Sequence, residues 1–136
     1  MAQNNGFPFG KVSYNDLNLS YTKDTSAYAV VLREFGEAYI DNGREHNLIF
    51  EYHTVIKNLK KQGLKLADIT IDLRHQDNSI EYIRTSKASS YNIENGSLRE
   101  TPLDTKSVHT VKLNNYWDQM KFAIPNVRVG SVIEIS

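Results

Sequence analysis

The sequence contains no cysteine among its 136 residues. This absence excludes disulfide bonds, thiolate nucleophiles and thiolate-bound zinc or iron–sulfur sites within these residues. A net charge is also missing, because 16 lysine and arginine residues balance 16 aspartate and glutamate residues. Without a net positive field the chain has little attraction for the phosphate backbone of nucleic acid, so nucleic acid is not an expected partner.

Long apolar runs are absent as well. No stretch approaches the roughly 18 residues that span a bilayer, and the first ten residues lack the basic and then apolar pattern of an intact signal peptide. The opening MAQNNG is typical of what remains after signal peptidase cleavage, with Met1 replacing the removed signal. We therefore predict an exported protein of the periplasm or cell envelope, with residues 1–10 as a flexible segment. The alternative is a cytosolic start with a frayed terminus.

Tyrosine, valine, isoleucine and threonine recur with period two between turn residues through most of the chain. This pattern favours strands over helices. The chain is long enough to bury a core by itself, and it contains no internal repeat or interdomain linker. The sequence thus predicts a single mainly β domain over residues 11–136, with about seven to nine strands packed as a two-sheet β-sandwich.

The segment NLIFEYHTVIKNL alternates regularly between two faces. One face carries Leu48, Phe50, Tyr52, Thr54 and Ile56, and the other carries Glu51, His53, Val55 and Lys57. We expect the first face to be buried and the second to be mostly wet. With residues from two further strands, the predicted core consists of Phe50, Tyr52, Ile56, Ile69, Ile71, Phe122 and Ile124.

Local signals divide the strands. Asn95-Gly96 is the strongest hairpin signal, Pro102 fits the end or edge of the strand that follows it, and Pro125-Asn126 interrupts the last strands. The apolar phase slips between Leu32 and Phe35, as a bulge or a crossing between sheets requires.

Other segments are expected to form turns. Asn42-Gly43 can take positive φ in a connecting loop, and short helical turns are predicted near residues 12–19 and 105–110. The lysines around Gly63 indicate a solvated turn rather than an anion site, because no helix start or glycine run accompanies them.

The densest polar grouping is DLRHQDN, with Asp72, His75 and Asp77. These groups could meet at a metal, but no second histidine lies nearby, so a solvated loop is favoured.

The histidines His46, His53 and His109 are scattered and form no specific triad. The sequence has no Gly-x-Ser-x-Gly elbow, His-Glu-x-x-His pair or glycine-rich phosphate loop. We therefore predict no catalytic residue, no metal and no cofactor in this chain.

Eight tyrosines are spread along the chain, and core packing with the hydroxyl at the rim explains most of them. Tyr116 and Trp117 differ, because they are adjacent in the polar segment NNYWDQM and would point to opposite faces of a strand. One of the two is expected to be exposed. We predict Tyr116 and Trp117 as candidate binding aromatics.

Five segments follow one another in a characteristic order: FGKVSYNDLNL, AVVLREFGEAYI, LIFEYHTVIKNLKKQGLKLADITI, YNIENGSLRETPL and KFAIPNVRVGSVIEI. In this order they resemble the domain of unknown function that precedes the transglutaminase-like domain in exported proteins of Gram-negative bacteria. The resemblance covers nearly the whole chain. Its most specific parts are the hairpin at residues 91–96 and the run at residues 122–134.

The resemblance implies a β-sandwich similar to the N-terminal domain of zinc aminopeptidases, without a zinc motif. It also implies that a transglutaminase-like domain follows in the same polypeptide, so that this chain is a C-terminally truncated fragment of a multidomain protein. The Cys-His-Asp chemistry of that family belongs to the following domain, and no catalytic residue is carried over to this chain.

Three functional hypotheses follow. The leading one is a noncatalytic accessory domain that packs against or positions the downstream domain, or supplies substrate contacts to it. The alternative is a glycan- or protein-binding module of the cell envelope with Trp117 as its anchor. The weakest is self-association, in which the C-terminal strand at residues 132–135 leaves a free edge that pairs between chains.

Overall fold

The computed structural model describes residues 6–20, 23–43, 46–76 and 79–136. In this part of the chain nine strands form two antiparallel sheets, and the predicted mainly β, two-sheet architecture is confirmed. The five-stranded sheet contains, in spatial order, β1 (Ala29–Ile40), β2 (Leu48–Asn58), β9 (Val132–Ile135), β5 (Ala88–Glu94) and β6 (Ser97–Pro102). The four-stranded sheet contains β4 (Ser79–Ile80), β3 (Asp68–Gln76), β8 (Trp117–Ala123) and β7 (His109–Lys112). The short helices are α1 (Tyr14–Leu17) and two 3₁₀ helices, Lys61–Ala67 and Thr105–Ser107.

The five-stranded sheet carries an apolar cluster on each face. The inner cluster, between the two sheets, consists of Ala67, Ala88, Met120, Phe122, Ile124 and Ile133. The outer cluster consists of Val12, Leu17, Val55, Tyr91 and Val132. Neighbouring residues of a strand point to opposite faces, so β9 feeds both clusters. The centre of this sheet is therefore buried on both sides.

Residues 6–20, which we call the N-terminal segment, cover the outer face of the five-stranded sheet. The predicted helical turn near residues 12–19 is confirmed as α1, which begins with a capping box between Ser13 and Asp16. The Asp16 carboxylate also accepts two hydrogen bonds from Arg33 of β1, at 3.0 and 2.9 Å. Of the predicted flexible stretch, residues 6–10 contact the sheet, and residues 1–5 lie outside the described residues.

The predicted hairpin is confirmed. Asn95 (φ 52°) and Gly96 (φ 80°) join β5 to β6. Pro102 is the last residue of β6, which is an edge strand, as predicted. After β8, Pro125-Asn126 forms a turn in which Asn126 has φ 59°.

The phase slip in β1 is confirmed as a bulge, because the register with β2 shifts between Val31 and Arg33. In the loop that follows β1, positive φ occurs at His46 (φ 47°) and not at Asn42 or Gly43.

The predicted faces of β2 are right for Thr54, which is buried, and for Ile56, which packs against the inner cluster, but wrong at most other positions. Val55, His53 and Lys57 are buried, whereas Leu48 and Phe50 are 70% and 73% exposed. The N-terminal segment covers the face that was expected to be wet, and the far half of the β1–β2 hairpin extends beyond the inner cluster.

The rest of the predicted core is confirmed in part. Tyr52 is exposed and was wrongly placed in the core. Phe122 and Ile124 are buried, as predicted. Ile56, Ile69 and Ile71 are partly buried and pack against the inner cluster. The prediction that most tyrosines pack in the core is also wrong, since those at 14, 28, 52, 82 and 116 are exposed.

Three loop predictions need correction. Asp72 and His75 belong to β3 rather than to a loop, and Asp77 lies outside the described residues. The lysine-rich turn is the 3₁₀ helix Lys61–Ala67, in which Gly63 is buried. In the predicted helical turn near residues 105–110 only Thr105–Ser107 is helical, and β7 begins at His109.

The predicted free edge on the C-terminal strand is wrong. β9 pairs with β2 on one side, where Thr54 lies opposite Ile135, and with β5 on the other, where Tyr91 lies opposite Val132. This strand therefore has no free edge for pairing with another chain.

None of the helices in the described ranges is long and apolar enough to cross a membrane.

Candidate functional site

The predicted binding aromatics lie where β7 turns into β8, and both are exposed. Tyr116 is 57% exposed and Trp117 is 38% exposed. The Trp117 ring lies on the outer face of the four-stranded sheet beside Arg74, whose guanidinium carbon is 5.9 Å from the ring centre. Tyr116 lies in the bend just before β8, so the alternation of that strand does not place its ring on either face.

Polar groups surround Trp117 on its face of the sheet. Gln119 lies two residues along β8, and its Nε2 donates a hydrogen bond to Asp72 Oδ1 at 2.9 Å. A ring beside amide, carboxylate and guanidinium groups could stack on a sugar and bond its hydroxyls.

The other predicted polar residues do not converge. Asp72 and His75 are three residues apart in β3 and therefore point to opposite faces. His75 Nδ1 lies 3.3 Å from Asp118 Oδ2 instead. His46 is in the β1–β2 loop and His109 begins β7. Within the described ranges, no group of three or more histidine, cysteine, aspartate or glutamate side chains is placed to hold a metal ion.

Sequence reasoning missed a buried polar cluster on the outer face of the five-stranded sheet. We call it the Glu134 cluster; it consists of His53, Tyr91, Glu134 and the backbone of Gly10. The Glu134 side chain is 1% exposed. Its Oε2 lies 2.7 Å from His53 Nε2, and its Oε1 accepts hydrogen bonds from the Tyr91 hydroxyl at 2.7 Å and from the Gly10 N–H at 3.1 Å.

The cluster is closed to water by the N-terminal segment. The ring centres of Phe7 and Phe9 lie 4.0 and 5.7 Å from that of His53. Burial, and then the hydrogen bond to Glu134, raise the pKa of the Tyr91 hydroxyl far above its ordinary value. Because its polar atoms are engaged with one another, the cluster fastens the N-terminal segment to the sheet.

One pattern in the sequence is a signal of buried polar residues, although it does not identify their partners. His53 and Lys57 share a face with the apolar Val55, and Glu134 lies between Ile133 and Ile135 in an otherwise apolar strand. Polar residues in such positions are buried when another segment covers the face, but the alternation alone does not identify that segment.

Lys57 makes a second buried polar contact on the same face. Its Nζ donates to the carbonyl oxygens of Leu17 and Gly130, both at 2.6 Å, and burial lowers the pKa of its ammonium. Lys57 also lines a shallow cleft of about 360 Å³, together with residues that lie just before β1 and just before β9 in the chain. The two carbonyls make Lys57 a link between α1 and the turn before β9.

An exposed apolar surface lies on the inner face of the β1–β2 hairpin. We call it the hairpin patch, and it consists of Ile40, Leu48, Phe50 and Tyr52. Ile40 lies directly opposite Leu48, and Phe50 and Tyr52 follow at alternate positions of the same face. All four are exposed, and Phe50 and Leu48 are the two most exposed large apolar residues of the described chain. Contiguous apolar surface of this kind marks interaction sites more often than isolated exposed residues do.

Comparison of the chain with protein-family models, curated proteins and solved structures finds no match in any of the three. The resemblance to the domain that precedes a transglutaminase-like domain, and the likeness to the N-terminal domain of zinc aminopeptidases, remain predictions from the sequence.

Proposed function

We propose that this β-sandwich is a noncatalytic accessory domain of an exported polypeptide, and that it docks through the hairpin patch on the transglutaminase-like domain that follows it. The observation that carries the proposal is the exposure of Leu48 and Phe50 at the far end of a hydrogen-bonded hairpin. Such residues are normally buried, so their exposure on a regular strand indicates a surface that another domain covers.

The buried ionisable groups support a structural role. Glu134 is bonded by His53, Tyr91 and Gly10, and Lys57 is bonded by two backbone carbonyls. These contacts join strands to the N-terminal segment, and they engage both oxygens of Glu134 and the ammonium group of Lys57. The burial of these ionisable groups is therefore explained by the contacts with which they hold the fold together.

Crosslinking from a single introduced cysteine tests the docking. These 136 residues contain no cysteine, so once the cysteines of the downstream domain are replaced by serine, Phe50→Cys can be labelled at one site with a photoactivated crosslinker in the polypeptide encoded by the complete reading frame. We expect the label to join the downstream domain. Leu113→Cys is the matched control, because Leu113 is also exposed and lies beside β7 on the other sheet. Equal crosslinking from both positions, or a reading frame without such a domain, would contradict the proposal.

A second candidate function is glycan binding on the outer face of the four-stranded sheet. It is favoured by the exposed Trp117 ring beside Arg74 and the Gln119–Asp72 hydrogen bond. Trp117 is the single tryptophan, so fluorescence reports on it alone. Titration with a glycan panel should shift its emission for a bound sugar, and Gln119→Ala should weaken that response. A flat response across the panel counts against this function.

A further inference from the structure

Part of β2 lacks a strand partner on one side. β1 pairs with the whole length of β2, from Leu48 to Asn58. On the other side β9 pairs only as far as Thr54, which lies opposite Ile135. Among the described residues no strand pairs with this side of residues 48–53, so a gap in the sheet continues the line of β9.

The direction of the backbone groups follows from the alternation of the strand. The N–H of Asn58 donates to the Ser131 carbonyl, and its own carbonyl accepts from the Gly130 N–H. Backbone groups of every second residue point to the same side, so those of Tyr52, Phe50 and Leu48 point into the gap. These donors and acceptors have no strand partner among the described residues, and they form an edge that can take up another strand.

The two faces of the gap differ in chemistry. The inner face carries the hairpin patch. On the outer face Glu51 lies directly opposite Glu37 of β1. The Tyr39 hydroxyl donates to Glu51 Oε1 at 3.0 Å, whereas Glu37 Oε2 is buried and has no hydrogen-bond partner among the described residues. Two facing carboxylates repel each other, and a basic side chain beside Glu51 would offset that repulsion.

We propose that the edge of β2 at residues 48–53 takes up one extended segment of the docked domain, which is apolar where it meets the hairpin patch and basic where it meets Glu51. The segment runs antiparallel to β2 in line with β9 and widens the five-stranded sheet locally. The inference rests on the proposed function, because the docked domain supplies the segment. It adds the mode of docking and the sequence character of the partner.

Amide hydrogen exchange with a model peptide tests the strand pairing. The probe is an acetylated and amidated heptapeptide of alternating lysine and valine, and the control peptide has the same composition in block order. We expect the alternating peptide to slow exchange at the amides of Leu48, Phe50 and Tyr52 by about tenfold or more. The amides of the intervening residues, which bond to β1, should be unchanged. Absence of protection, equal protection of both sets, or equal effects of both peptides would overturn strand addition.

Two variants at one position separate backbone pairing from simple apolar contact. Phe50→Ala and Phe50→Pro both remove the ring, but only proline removes the N–H that points into the gap. We expect Phe50→Pro to bind the alternating peptide about tenfold more weakly than Phe50→Ala, as the loss of one strand hydrogen bond implies. Circular dichroism checks that both variants fold. If one variant fails to fold, N-methylation of the peptide at alternate residues provides the same comparison with unaltered protein. Equal affinities of Phe50→Pro and Phe50→Ala for the peptide would overturn the inference. Where the N-methylated peptide is used instead, equal affinities of the methylated and unmethylated peptides would overturn it.

The remaining outcomes concern the occupant. Protection of the three amides without peptide, together with a dimer in sedimentation, would identify a second copy as the occupant and overturn the inference. Crosslinking from Phe50→Cys without alternating protection would overturn strand addition and leave the docking of the downstream domain in place. Alternating protection without such crosslinking would overturn the docked domain as the source of the segment.

Discussion

His53 Nε2 lies 2.7 Å from Glu134 Oε2, although 81 residues separate the two in the chain. The pair connects β2 to β9 on the outer face of the five-stranded sheet, and Tyr91 of β5 and Gly10 of the N-terminal segment bond the same carboxylate. One buried side chain thus holds three strands and the segment that covers them. A buried carboxylate is tolerated there because several donors replace the water it has lost.

Removal of the Glu134 carboxylate should destabilise the fold strongly. Glu134→Ala leaves His53 and Tyr91 buried without their shared acceptor, and breaking such a network costs about 3 to 5 kcal/mol. Urea unfolding followed by circular dichroism measures the change in the free energy of unfolding. Glu34→Ala, at an exposed position of β1, is the control and should change it by less than about 0.5 kcal/mol. Similar losses in the two variants would show that the cluster contributes little.

Removal of the Tyr91 hydroxyl should have a smaller effect that depends on pH. Tyr91→Phe keeps the ring and loses one hydrogen bond to a carboxylate, which costs about 1.5 to 3 kcal/mol. The pKa of Tyr91 is raised above its ordinary value of 10.0, chiefly by burial. Its contribution is therefore complete below that pH and is lost as the pH rises, because the unfolded tyrosine ionises first.

The difference in stability between the natural protein and Tyr91→Phe should consequently narrow between about pH 8 and about pH 11. Urea midpoints at both values measure it, and the exposed tyrosines affect both proteins equally. A difference that stays constant or widens would mean that Tyr91 ionises at least as readily in the folded protein as in the unfolded chain.

The Asp16–Arg33 pair should contribute with the opposite pH dependence. The hydrogen bonds from Arg33 are the main cause that lowers the pKa of Asp16 from its ordinary value of 3.8. The contribution of this carboxylate is present above that value and is lost as the pH falls. Asp16→Asn should cost on the order of 1 kcal/mol near neutral pH, as a partly exposed charged pair does, and almost nothing at low pH. Asp68→Asn, at an exposed position of β3, is the control, and an equal loss at both pH values would contradict the linkage.

The parts of the fold that local chemistry determines could be predicted. Asn95-Gly96 forms its turn because both residues accept positive φ, and Pro102 ends an edge strand because it has no N–H to donate. The burial of β2 could not be predicted, because its alternation does not show which face another segment covers. His53 and Val55 are buried by residues far away in the chain.

The candidate sites also differ in whether local sequence or contacts between distant residues determine them. The polar neighbours of Tyr116 and Trp117 predicted that one of the two rings is exposed, and the structure exposes both. The Glu134 cluster depends on contacts between four separate segments, and no spacing in the sequence encodes them. The gap beside Phe50 depends on how far β9 extends along β2, which only the register of the sheet reveals.

The exposed Phe50 and the buried Val55 of β2 give a direct test of its two faces. Val55 is 0% exposed, and Val55→Ala removes two buried methyl groups, which should cost roughly 2 kcal/mol. Phe50→Ala truncates a larger side chain but should change the free energy of unfolding by less than about 0.5 kcal/mol, because its ring is exposed. Denaturant unfolding of the two variants compares them. A larger loss for Phe50→Ala would show that the ring is buried in solution.

The 3₁₀ helix Lys61–Ala67 packs closely at Gly63. A methyl group on Gly63 would lie 2.8 Å from the Tyr28 carbonyl oxygen and closer still to Asn58 Oδ1. The Asn58 side chain is buried and its Nδ2 donates to the Arg128 carbonyl at 3.0 Å, so it cannot turn away without losing that bond. The Tyr28 carbonyl belongs to the backbone just before β1, so it cannot turn away as a side chain can.

Gly63→Ala should therefore destabilise the protein, although alanine is the better residue for an unhindered backbone of ordinary φ. Relief of the contacts requires a shift of the helix against the end of β2, at a cost of about 1 to 3 kcal/mol. Gly36→Ala in β1 is the control, since the nearest atom to its methyl group, Tyr52 Cδ2, is 3.8 Å away. That change should be neutral or slightly stabilising, because alanine restricts the unfolded chain. Thermal unfolding compares the two, and an unchanged or raised midpoint for Gly63→Ala would mean that this turn is as open as its lysines suggest.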